Sequence, residues 1–87
     1  MMNASRVCQL IQYATESMAK QGFKCFQVTI SCADDRASLW LEATTPTSTG
    51  CKVTKRVIDF HSLLQAIVPE KLIDDLTSDI KRLTTDV

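Results

Sequence analysis

Glycine and proline are scarce in this chain, with two of each among 87 residues. That scarcity excludes collagen-like and low-complexity architectures, which need one or both in abundance. Aromatic side chains make up 6% of the total, and His61 is the only histidine. No apolar run approaches the roughly 18 residues needed to span a bilayer, so no membrane partner is expected. The opening Met-Met-Asn-Ala-Ser-Arg is not followed by a continuous apolar stretch, because Gln9, Gln12, Thr15 and Glu16 interrupt it. No secretory signal is therefore expected, and the chain reads as cytoplasmic. Asn3-Ala4-Ser5 fits a glycosylation pattern that carries no meaning without export. Charge of one sign is also missing. Ten bases balance ten acids, so bulk charge names no partner.

The remaining composition, 45% hydrophobic and 23% charged, is that of a globular protein and excludes a disordered tail. At this length residues 1–87 are expected to form a single domain. A large enclosed active-site cavity is hard to build at this size, whereas a surface site is easy.

Four cysteines, Cys8, Cys25, Cys32 and Cys51, invite disulfide or zinc readings. Without export the compartment is reducing, which disfavours disulfides. Gaps of 17, 7 and 19 positions lack the tight ligand pairs of zinc sites. Four reduced, buried structural thiols and no metal are expected, since free cysteine is among the most buried residue types.

Periodicity predicts the elements. Val7, Leu10, Ile11, Ala14 and Met18 mark a helix over 5–21, with Ser5 or Asn3 as its cap and Gly22 closing it ahead of Phe23. The period then becomes two. Phe26, Val28, Ile30 and Cys32 alternate with Gln27, Thr29 and Ser31, and Ala33-Asp34-Asp35-Arg36 supplies a polar turn. Leu39, Leu41 and Ala43 alternate with Ser38, Trp40, Glu42 and Thr44 in a second strand. A loop is expected over Thr45–Gly50, with pairing lapsing at Pro46. In a third strand, Cys51, Val53 and Val57 are expected inside and Lys52, Thr54 and Arg56 outside. Lys55 then falls on the apolar side, near a sheet edge. Asp59 is a candidate cap for a short helix with Phe60, Leu63, Leu64, Ile67 and Val68 on its apolar face. Pro69 ends that helix and opens a last one, to about Leu83, striped by Leu72, Ile73, Leu76, Ile80 and Leu83. The tail Thr84–Val87 is expected to fray.

These elements define an α+β fold with two layers: a three-stranded antiparallel meander with helices packed on one face, in the order α-β-β-β-α-α. The other sheet face is left open. Trp40 is predicted to point out of it, beside Lys52 and Arg56, with Glu42 and Thr54 on the same face. A rigid aromatic beside cations is a common binding arrangement. These five residues are the candidate partner-binding site, with Trp40 as anchor and Lys52 and Arg56 as orienting charges.

Three functions compete. The leading expectation is a small, non-enzymatic interaction or regulatory protein. It would bind a protein partner, or itself as a homodimer, through the open face or a sheet edge, and act by occlusion. The second is a nucleic-acid module using the same face, since residues 1–58 carry seven bases against four acids. The element order is similar in topology to double-stranded-RNA-binding domains. Those need a basic helix start, whereas here the last helix opens with Glu70 and carries Asp74 and Asp75. The third is a small inhibitor encoded by a mobile element, whose acidic last helix (Glu70, Asp74, Asp75, Asp79) would occupy a basic site. Catalysis is not expected. There is no serine elbow, catalytic-cysteine pattern or phosphate-cradling glycine loop, and no cofactor is implied.

Overall fold

The structure, a computed structural model, describes residues 4–85. Its elements are α1 (Ala4–Lys20), β1 (Phe26–Ala33), β2 (Arg36–Thr47), β3 (Gly50–Asp59), α2 (Phe60–Gln65) and α3 (Pro69–Thr85). The three strands form one open antiparallel sheet in the order β1-β2-β3, so the expected α+β order is present. Asn3, a candidate cap, and Asp86 and Val87, assigned to the tail, lie outside the described residues. Thr84 and Thr85, expected to fray, are helical.

Local chemistry sets the boundaries. α1 stops where Gly22 takes a φ of +89° and its N–H donates to the Ala19 carbonyl at 3.0 Å. Phe23 then turns back into the core. Between β1 and β2 the link is two residues, Asp34 and Asp35, with φ of +52° and +62°. Two-residue hairpins favour this left-handed pair because its twist matches that of the strands, and aspartate tolerates it better than most side chains.

The β2–β3 link is equally tight. Thr47 faces Gly50 across Ser48-Thr49, and Pro46 stays in the ladder opposite Cys51. Pairing therefore does not lapse at the proline. The Thr44 N–H reaches the Cys25 carbonyl on the β1 side at 2.9 Å. Residue 46 faces the same way two positions later, and β1 has not begun there. The donor that proline lacks has no strand to meet.

Inside the sheet, Leu39, Leu41 and Ala43 are wholly buried. They meet Leu10, Ala14 and Met18 of α1, Phe60 and Leu63 of α2, and Ile73 and Ile80 of α3. α1 lies over β1, α3 over β3, and α2 across β2 and β3. α2 is shorter than its apolar pattern suggested: it ends at Gln65, and Ile67 is fully exposed in the link to α3. Asp59 holds the N-cap position without a side-chain cap bond.

A polar seam joins α1 to α3, which run parallel. Arg6 pairs with Glu70 at 2.5 Å. The Tyr13 hydroxyl donates to Asp74 at 2.8 Å and the Ser17 hydroxyl at 3.0 Å. Ser17 also meets the fully buried Thr77 at 2.8 Å, and Gln21 donates to Ser78 at 3.3 Å.

Candidate functional site

Among the described residues no helix packs on the second face of the sheet. Register and alternation set its rungs. Gln27, Glu42 and Lys55 form one, Thr29, Trp40 and Val57 the next, and Ser31, Ser38 and Asp59 a third. Val53 lies opposite Thr44 on the same side. Trp40 therefore points outward as expected, half-buried among its neighbours, with the Lys55 Nζ 4.9 Å from the ring centroid. That distance is within cation–π range. The Trp40 Nε1 is shielded from solvent and has no hydrogen-bond partner. Val57, the cross-strand neighbour of Trp40, is 45% exposed, and Val53, two rungs along the same face, is 58% exposed.

The third strand has the opposite phase to the one expected. Lys52, Thr54 and Arg56 lie on the helix side of the sheet, and Val53, Lys55 and Val57 lie on the open side. The candidate site thus divides: Trp40 and Glu42 share the open face, while Lys52, Thr54 and Arg56 do not. The physical reason is the chain beyond β3. Ile58 packs on the core and Phe60 enters it, so every second residue back from Ile58 must also face inward. Each displaced residue has a local occupation. The Lys52 Nζ donates to the Leu83 carbonyl at 3.2 Å, a cation at the C-terminal end of α3. Arg56 donates to the Lys55 carbonyl at 3.0 Å. Thr54 is buried, and its hydroxyl has no hydrogen-bond partner.

Sequence reasoning thus missed Lys55, Val53 and Val57. The signal was available: Val57 and Ile58 are adjacent and cannot both face inward. Lys55 was placed near a sheet edge, and β3 is an edge strand.

The cysteines also depart from expectation. Cys8, Cys25, Cys32 and Cys51 are all free and all exposed, so none is a core thiol. Cys32 follows the inward alternation, but Asp34 starts the turn two residues later. Among the described residues no three His, Cys, Asp or Glu side chains gather as a metal-binding group. His61 is exposed on α2. No described helix is long and apolar enough to cross a membrane.

Much of the acidic face of α3 is engaged within the fold. Glu70 holds Arg6, Asp74 accepts from Tyr13 and Ser17, and Asp79 pairs with Arg82 at 3.1 Å. Hydrogen bonding to Asp74 raises the Tyr13 pKa above its ordinary value of 10, helped by desolvation and by the charges of Asp74, Glu70 and Glu16.

No protein family matches this chain. Searches of curated proteins and of solved structures likewise returned no match.

Proposed function

We propose that this is a small, non-enzymatic binding protein of regulatory type that covers a protein partner's surface with its open sheet face and acts by occlusion. The observation that carries this reading is Trp40, partly exposed beside Val57 and under Lys55 on the sheet face that no described helix covers. A flat ring in an apolar setting supplies contact area at little conformational cost, and one cation over it supplies orientation. Lys55 takes the orienting role first given to Lys52 and Arg56, and Glu42, its direct cross-strand neighbour, sets the polarity of the rim.

Nucleic acid is the weaker reading. With Lys52 and Arg56 on the helix side, the centre of the open face keeps Lys55 as its cation, and Glu42 lies directly opposite it. Phosphate binding calls for several cations on one surface. The acidic-helix reading is weakened because three of the four acids are tied up within the fold.

The test is copurification from the native host at mild salt, identification of the bound species, and titration of that purified species with wild type and Trp40→Ala. A protein partner whose affinity falls at least tenfold on Trp40→Ala and changes little with salt supports the reading. A bound nucleic acid, released steeply as salt rises and weakened by Lys55→Ala, overturns it.

A further inference from the structure

The two edges of the sheet are guarded differently. β3 carries Lys52, Lys55 and Arg56 along its length. Charged residues on an edge strand, lysine above all, are the usual protection against a foreign strand. β1 is Phe-Gln-Val-Thr-Ile-Ser-Cys-Ala, eight residues without a charge or a proline. The Cys25 carbonyl faces β2, and alternation then turns the N–H and C=O groups of Phe26, Val28, Ile30 and Cys32 to the outer edge. Among the described residues none is bonded to that edge.

The helix layer above is also uncharged there. α1 turns Arg6, Tyr13, Ser17 and Gln21 towards α3 and sets Leu10, Ala14 and Met18 on the sheet. At about 100° per residue, Cys8, Thr15 and Ala19 fall on the opposite flank, over the β1 edge, with half-buried Ile11 at their base. Phe26, Val28 and Ile30 are likewise only half-buried, whereas Leu39, Leu41 and Ala43 opposite them are sealed.

We propose that β1 pairs antiparallel with β1 of a second copy about a two-fold axis, giving a continuous six-stranded sheet with α1 beside α1. This deepens the self-association arm of the binding reading, using the β1 edge in place of the open face, although Thr29 at the axis is also the cross-strand neighbour of Trp40. The occupant is a second copy because the edge is self-matching. With the axis at Thr29, Val28 meets Ile30, Phe26 meets Cys32, Gln27 meets Ser31, and Thr29 meets its own mate. Apolar residues face apolar on the helix side and polar face polar on the open side, and threonine pairs are favourable cross-strand neighbours. An eight-residue strand is ~27 Å long. Two layers about 20 Å deep then bury roughly 1,000 Å² in total, the lower end for specific association. An interface of that size belongs to the weak, transient class, and a micromolar dimer is expected.

Sedimentation equilibrium of the full chain under reducing conditions tests this, since reductant excludes disulfide links through the exposed cysteines. Over roughly 1 to 500 μM, wild type shifts from monomer to dimer mass, the range micromolar affinity requires. Thr29→Lys and Thr29→Glu each weaken the dimer at least tenfold, and mixing the two restores it, which misfolded variants cannot do. Val53→Lys, on the opposite edge strand, leaves it unchanged. Wild type that stays monomeric throughout overturns the proposal, as does a dimer that Val53→Lys breaks and Thr29→Lys does not. A monomer that still binds its partner through Trp40 sinks this inference alone. A dimer broken by Thr29→Lys in a protein for which Trp40 has no partner sinks the binding reading alone.

Discussion

β2 presents two faces built to different standards. Leu39, Leu41 and Ala43 on one side are sealed from solvent, while Ser38, Trp40, Glu42 and Thr44 on the other remain partly exposed. The first set is aliphatic and fills core volume. The second contains an aromatic ring, a carboxylate and two hydroxyls. Alternate residues of one strand thus divide the labour: the inner row packs the core and the outer row stays accessible to solvent. The difference teaches where to look for stability and where to look for binding.

The sharpest way to break this comparison is to truncate one residue from each row. Leu41→Ala is expected to cost about 3 kcal/mol in denaturant unfolding, because it leaves a cavity in a sealed core. Trp40→Ala is expected to cost less, about 2 kcal/mol, since the ring is covered from one side only and its loss leaves no enclosed cavity. Equal losses would mean that the outer face is structural and the division of labour false.

The helix seam supplies the next effect. Tyr13→Phe removes the bond to Asp74, and its signature is in pH. The fold favours the neutral phenol, so its contribution is complete below pH 10 and is lost as pH climbs through the raised Tyr13 pKa. Urea titrations from pH 8 to 11 should show part of the alkaline fall in wild type missing from Tyr13→Phe.

Thr54→Val then sharpens the assignment of β3. The change keeps shape and removes a buried hydroxyl without a partner, so stability should rise by up to about 1 kcal/mol. Partner binding should not change. A loss of binding would return Thr54 to the site. The smallest effect concerns the turn that keeps the two rows apart, because a one-residue slip would exchange them. Asp35→Gly relieves a left-handed φ and should raise the melting midpoint slightly, by roughly 0.5 kcal/mol of stability.

Much of this architecture was legible in the residues. The shift from a three-and-four spacing to strict alternation after Phe23 marked the end of α1 and the start of the sheet. The acidic turn at Asp34-Asp35 fixed the first hairpin, and with it the outward course of Trp40. β3 was not legible by the same rule. In Lys52-Val53-Thr54-Lys55-Arg56-Val57 the two adjacent bases break the alternation, so hydrophobicity alone favours the wrong phase. Only the demands of Ile58 and Phe60 downstream decide it. The thiols misled for a related reason. A residue type's average burial says nothing about strand ends, turns and outer helix flanks, where these four lie. At the site, the anchor was readable from one strand, but its cation belongs to a neighbouring strand whose register is a tertiary fact.

The seam between the outer helices also bears on how the protein is made. Its bonds link residues 57 to 64 positions apart. The meander between them closes through two-residue turns, at small entropic cost. During synthesis the strands can pair soon after they leave the ribosome, while the earlier helix waits with Leu10, Ala14 and Met18 short of full cover. Only when α3 emerges do Glu70, Asp74 and Thr77 arrive to fasten it, so the last helix of this fold locks its first in place.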